Sequence, residues 1–208
     1  MPNAIEPRSA LADLQAHDGA VSSHAGEAAV IVREVRGGAI LQLGRPGPEP
    51  AVTAALVALG LAALPEMGGS SQGSSIQLLP VGPRQWLLVA DDPNERGPTL
   101  RDLLTPAFAP VLVMSDAWTR IRIEGPHSRD LLAKGAIIDL HPKQFAVNAC
   151  AVTAFAGMRS VLWRGAGDDR FDLLVGRSLA VALWHWLVES AEEFAGTCLL
   201  AGPTTHIG

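Results

Sequence analysis

Tyrosine occurs nowhere in the 208 residues, and aromatic side chains of all kinds make up only 5%. That removes a common acid–base group and thins out the stacking surfaces on which single-stranded nucleic acids are held. Cysteine is scarce too. Cys150 and Cys198 stand far apart, too few for a disulfide scaffold, so a reducing, cytoplasmic setting is expected. Basic charge is short: 16 Lys and Arg against 21 Asp and Glu leave a net charge of −5, with no electrostatic footprint for a polyanion. No apolar stretch reaches the roughly 18 residues that a membrane span requires. The longest, residues 51–64, runs into Pro65. The first 14 residues lack the apolar run behind a basic end that marks a secretory signal.

Recognisable chemistry is also missing. Gly69-Ser-Ser-Gln-Gly73 fits the nucleophile-elbow spelling, but a polar loop precedes it and a strand follows, so it reads as a linker. Gly165-Ala-Gly167 has no third glycine and opens no helix, which fails the dinucleotide fingerprint. His127, His141 and His185 sit on separate elements without ligand spacing, and no C-x-x-C or H-E-x-x-H occurs. Cys150 falls in an apolar strand, where a small buried hydrophobe is expected. The sequence therefore predicts no catalytic, cofactor-binding or metal-binding residue in this chain.

What is present is a soluble, apolar-rich pattern, 48% hydrophobic, long enough for one sizeable core or two fused half-domains. After a polar arm over residues 1–25, residues 29–35 and 39–43 read as a hairpin around Gly37-Gly38. A helix is predicted over 51–64, a second hairpin from 76–79 and 85–90, a short helix over 99–108, and a buried strand at 111–114. Residues 119–123 alternate, with Ile121 and Ile123 on one side and Arg120 and Arg122 on the other, the mark of a half-buried strand. Gly125-Pro126 opens the next helix, in which Asp130 and Lys134 form an i,i+4 pair and Gly135 caps the end. A third hairpin turns at Ala156-Gly157, a strand covers 171–175, and a long helix fills 178–194. The order is strand, helix, two strands, helix, strand, then approximately the same again. That predicts an α+β fold of two fused ferredoxin-like βαββαβ half-units with antiparallel sheets. The domain is expected over 26–195, its halves being about 26–116 and 117–195, with a tail at 196–208.

On the last helix, Leu179, Ala180, Leu183, Trp186, Leu187, Ser190 and Phe194 share a core stripe, while His185, Glu189, Glu192 and Glu193 face away. Val181, Trp184 and Val188 form a third arc. Either a neighbouring loop of this chain or a partner protein covers it.

The second half carries a specific set of words. Ser115-Asp-Ala-Trp-Thr-Arg-Ile-Arg-Ile-Glu-Gly-Pro126 is followed by Leu132-Ala-Lys-Gly135, Asp139-Leu-His-Pro142, Cys150-Ala-Val-Thr153, Phe171-Asp-Leu-Leu-Val175, and Arg177-Ser178 before Leu183-Trp-His-Trp-Leu187. In this order and spacing, residues 110–195 resemble the gamma subunits of heterotetrameric sarcosine oxidase. The resemblance implies the folate-binding domain fold of the aminomethyltransferase family. It also implies a non-catalytic place beside alpha, beta and delta subunits in a complex that oxidatively demethylates sarcosine to glycine. FAD, FMN, NAD and tetrahydrofolate are then expected in the larger subunits and zinc in the smallest, with none in this chain. A related N-methyl amino acid demethylase, such as N-methylglutamate dehydrogenase, and a free-standing folate-binding module are the alternatives. Under the resemblance, Trp118, Trp184 and Trp186 are candidate contact surface. Lys134, Asp139, His141 and Arg177 are expected either to meet a partner or to pin the 139–142 loop to its own fold.

Overall fold

The computed structural model describes residues 9–15, 29–92, 96–167, 169–194 and 196–200. Its first structural decision falls at Gly37 and Gly38, both left-handed with φ of 85° and 71°. The expected hairpin does not form there. β1 (Ile31–Val35) and β2 (Ile40–Pro46) enter different sheets. The two-glycine turn carries the chain across instead, because β1 finds two neighbours in the other sheet, where a hairpin would have given it one.

The N-terminal sheet is built from β2, β3 (Ser71–Gln72), β4 (Ile76–Gly82), β5 (Gln85–Ala90) and β6 (Phe108–Val113), in the order β3-β4-β5-β2-β6. Two helices, α2 (Glu49–Ala58) and α3 (Gly97–Leu104), cover one face. Leaving aside the two-residue β3, this is a βαββαβ unit with its four strands in the order second, third, first, fourth, the split βαβ plan. α2 is shorter than the apolar run suggested. Gly60 adopts φ 67°, and the N–H groups of Gly60 and Leu61 donate to the carbonyls of Val57 and Leu56 at 3.0 and 2.9 Å, a Schellman ending that satisfies the last carbonyls. β6 also departs from expectation: it is an edge strand, and Leu112 and Val113 are 46% and 40% exposed.

The C-terminal sheet repeats the plan with β7 (Trp118–Glu124), α4 (Ser128–Ala133), β8 (Cys150–Phe155), β9 (Met158–Arg164), β10 (Arg170–Gly176), α5 (Ala180–Ala191) and β11 (Thr197–Leu199). Its order is β11-β1-β7-β10-β9-β8. β1 is inserted between first and fourth strands of the unit, and β8 is added at the far edge. β1 runs parallel to β11, and the other pairings are antiparallel. Ala156 and Gly157, at φ 47° and 77°, make the tight β8–β9 turn, whose two left-handed residues match strand twist.

The packing runs helix, sheet, sheet, helix. Leu41, Leu43, Leu78 and Leu88 meet α2 and α3. Ile40, Leu79, Leu87 and Val89 of one sheet face Cys150, Val161, Trp163 and Leu174 of the other. Ile121, Ile123, Phe171 and Leu173 meet Leu131, Leu183 and Leu187 of the outer helices. The segment expected as a polar arm contributes to this last layer: Leu11, just before α1 (Ala12–Gln15), is fully buried in it. Residues 1–8 and 16–25 of that arm lie outside the described residues. The expected tail contributes β11, and its last eight residues likewise lie outside them. α4 starts at Ser128 rather than at Pro126. Gly135 is not the left-handed cap that was expected. A Cβ there would lie 2.8 Å from the Trp186 ring and 3.0 Å from Phe155, so glycine is required for helix-to-strand contact. No helix among the described residues is long and apolar enough to cross a membrane.

Candidate functional site

The alternating strand β7 places Arg120 and Arg122 on the face that meets the other sheet, and both are buried, at 5% and 9% exposed. The half-buried reading fails here because β10 supplies a counter-charge at the matching register. Asp172 pairs with Arg122 across the ladder and is completely buried. Its Oδ1 accepts from Arg120 Nε at 2.8 Å and from Arg122 Nε at 3.0 Å. Arg120 also donates through Nη1 to Asp91, just past β5, so one guanidinium ties the two sheets together. It lies 5.1 Å over the Trp163 ring, adding a cation–π contact. Burial opposes the Arg120 charge, but Asp172 and Asp91 together outweigh it and raise its pKa. Arg122 has the weaker position. Burial, reinforced by the neighbouring Arg120 charge, lowers its pKa against the pull of Asp172. The signal for this network was present in the sequence as one Asp inside the apolar run Phe171-Asp-Leu-Leu-Val175, with two arginines two residues apart on another strand. Its chemistry is structural: fixed charges matched to one another, with no titratable group poised against a cleft.

The four residues singled out in sequence do not come together. Lys134, at the end of α4, donates to Glu193 at 2.8 Å and to the Ser190 carbonyl at 3.2 Å near the far end of α5. Asp130 does not pair with it and bonds to His127 Nδ1 at 2.8 Å instead. Arg177 lies before the first turn of α5, so the 12 residues of that helix separate it from the Lys134 contact by roughly 18 Å. Asp139 accepts from the His141 N–H at 2.8 Å, and His141 Nδ1 accepts from the Lys143 N–H at 3.3 Å. These bonds close the 139–143 turn on itself. The side chain that fastens the turn to the fold is Arg129, which sequence reasoning missed. It bonds to the Leu140 carbonyl and, at 2.8 Å, to Asp169, and stacks 4.9 Å over Phe171. Nothing in the local sequence distinguishes it from a surface arginine.

The tryptophans proposed as contact surface are largely internal. Trp184 is buried, Trp186 sits edge-on to Phe155 at 5.2 Å, and Trp118 packs between the sheets. Val188 is likewise part of the helix layer, so this chain covers most of the third arc itself, leaving Val181 38% exposed. A cavity of about 620 Å³ opens between Ser9, Ala10, Asp13, Ala117, Gly176, Arg177 and Ser178. Among the described residues that line it, none is aromatic, so these residues offer no ring on which a flavin or pterin would stack. Among the described residues, no group of three or more His, Cys, Asp or Glu is placed to hold a metal.

Cys150 and Cys198 are free and buried. Burial pushes their thiols from 9.0 up to about 12 and about 11. Both are therefore protonated at pH 8 and shielded, and the native chain is expected not to react with a thiol-specific colorimetric reagent, whereas two thiols per chain react in urea. The linkage has a definite sign. An unfolded thiol loses its proton near pH 9 while the folded one keeps it, so stability is complete below pH 9 and falls as the pH rises from 9 to about 11 for Cys198 and to about 12 for Cys150. Urea midpoints measured across that range test the direction.

Against known proteins, the model of the sarcosine oxidase gamma subunit family matches residues 46–193. A sarcosine oxidase subunit gamma from Corynebacterium sp. strain U-96 is 34% identical over 176 residues, covering 82% of this chain and 83% of that protein. A chain of the heterotetrameric sarcosine oxidase from Corynebacterium sp. U-96, solved in complex with pyrrole 2-carboxylate, superposes with a TM-score of 0.76 and 30% identity over 95% of this chain and 98% of its own. The glycine cleavage system aminomethyltransferase T from Bartonella henselae shares the fold, with a TM-score of 0.65 at 16% identity, over 95% of this chain and 60% of that one.

Proposed function

This chain belongs to the sarcosine oxidase gamma subunit family, and from that premise we propose that it is the non-catalytic gamma subunit of a heterotetrameric sarcosine oxidase. The complex oxidatively demethylates sarcosine to glycine in the cytoplasm. Its alpha, beta and delta subunits carry the chemistry, with FAD, FMN, NAD and tetrahydrofolate in the larger ones and zinc in the smallest. The observation that carries this reading is a shared fold that runs almost the full length of both this chain and a chain of the solved enzyme. The same reading is supported by the family match over residues 46–193. The physical contribution of the subunit is a rigid, double-layered surface. We assign residues 26–195, together with Leu11 and β11, which belong to the same core and sheet, to one aminomethyltransferase-like domain of two half-units. Asp139 and His141 hold the 139–143 turn in shape, and Lys134 holds α4 to α5.

The test is co-expression with the large flavin-binding and small subunits, with and without this chain. Purified alone, the chain is expected to be colourless and without oxidase activity. Leaving it out is expected to lower the yield of assembled, active oxidase on size exclusion. Stoichiometric flavin on the isolated chain, or full assembly in its absence, would overturn the reading.

A further inference from the structure

The matching of charge between the two sheets leaves one cation over. Arg120 and Arg122 have side chains only 4% and 10% exposed, and Asp172, the anion they share, is wholly buried. The partly exposed members around them come in equal number, Arg33 and Arg170 against Asp91 and Glu124. A guanidinium does not shed its proton in a protein, and a buried charge without a counter-charge is costly. Arg122 carries the surplus. Among the described residues it pairs with Asp172 alone, on the same Oδ1 that Arg120 uses, whereas Arg120 has Asp91 as well. Burial, with the Arg120 and Arg170 charges behind it, works against the charged form of Arg122.

The same side chains have donors to spare. Nη2 of Arg120 and Nη2 of Arg122 are both buried with no hydrogen-bond acceptor among the described residues, as is the indole N–H of Trp163. The three surround one carboxylate. Both arginines reach Asp172, Trp163 is the register partner of Asp172 on β9, and the Trp163 ring centre lies 5.1 Å from the Arg120 guanidinium carbon. The second oxygen of Asp172 does not serve these donors. It makes no hydrogen bond, and the Nε of Arg170 lies 3.8 Å from it.

We propose that a single halide ion binds between the sheets, held by the Nη2 groups of Arg120 and Arg122. Unmet N–H donors and one surplus positive charge specify a monovalent anion. The burial of both side chains specifies a small one, with no room for a carboxylate carried on another chain. Water is the competing occupant: it would satisfy the donors but leave the charge uncompensated. The inference does not depend on the subunit reading above.

Urea denaturation of the full chain, with chloride replacing gluconate at constant sodium, tests the proposal. The folded-to-unfolded ratio is expected to rise, approaching about tenfold for each tenfold rise in chloride above its dissociation constant. Arg122→Met is expected to lose that dependence. Arg33→Met removes one positive charge from the exposed neighbour that pairs with Arg122 in the ladder, and is expected to keep it. Crystals of the full chain grown in bromide are expected to show an anomalous peak against Nη2 of both Arg120 and Arg122. A parental ratio that ignores chloride, or the absence of that peak, overturns the proposal in favour of water. Equal loss of the chloride response in R33M and R122M also overturns it, because the ion then associates with surface charge. A bromide peak without chloride dependence in solution marks an adventitious ion only, and overturns it too. Should R122M fail to fold, the parent, R33M and the bromide crystals decide.

Discussion

Asp172→Ala is expected to lower the stability of the chain by about 3–5 kcal/mol, the usual result of stripping a buried ion pair of one partner. The carboxylate is fully buried and its Oδ1 accepts from two guanidinium groups that are themselves buried. Removing it leaves the Arg120 and Arg122 charges buried between the sheets, beside Arg170, whose Nε lies 3.8 Å from the lost carboxylate, while Asp91 is partly exposed, bonds to Arg120 and lies 4.0 Å from Arg170. A domain of ordinary stability has about 5–15 kcal/mol in hand, so the variant should show a sharply lower urea midpoint or fail to accumulate. The two arginines are expected to differ. Arg120→Met severs the tie to Asp91 as well as to Asp172. Arg122→Met removes the cation whose charge burial already disfavours and leaves Asp172 its Arg120 partner. The predicted order of destabilisation is therefore D172A, then R120M, then R122M. The triple replacement D172L/R120M/R122M is expected to lie closer to the parent than D172A does, because no uncompensated charge is left buried. Equal, small shifts in all three single variants would mean that water reaches the cluster and screens it.

That network also marks where reading the sequence stops short. Period-2 alternation located β7 correctly and placed its isoleucines in the core, because a strand's two faces follow from covalent geometry alone. Alternation says nothing about what lies opposite the second face. The arginines looked solvated, and only the register of β7 against β10, set by pairing between distant segments, brings Asp172 to them. Gly135 teaches the same lesson. Its place after an amphipathic run suggested a helix cap, yet it is there because Trp186 and Phe155 approach it from segments 20 to 51 residues away. The long helix, the β4–β5 and β8–β9 hairpins and the doubled βαββαβ order were legible because each depends on local period and turn chemistry. The loop words Asp139-Leu-His-Pro142 fall on a turn that closes on itself. The fastener, Arg129, was invisible because its partners lie on other elements.

Gly38→Ala is expected to destabilise the chain by about 3 kcal/mol or more, enough to lower the yield of soluble protein. Two penalties coincide. Gly38 has φ 71°, a conformation that alanine adopts only under strain. The added Cβ would also lie 1.9 Å from the Ala90 carbonyl oxygen and 2.8 Å from its carbon. Those are backbone atoms at the end of β5, held in the sheet by the Ala39–Ala90 hydrogen bond, so no rotamer change relieves the clash. The crossover would have to move, and with it the register of β2 against β5 or the seating of β1 between β7 and β11. Gly157→Ala is the matched control. It has a comparable φ of 77° but nothing within 4 Å of the new Cβ, so only the conformational penalty of about 1 kcal/mol remains. Urea denaturation of the two variants separates the contributions. If Gly38→Ala proves no worse than Gly157→Ala, the chain does not pass beneath β5 at this point, and the exchange of β1 into the C-terminal sheet would have to be abandoned.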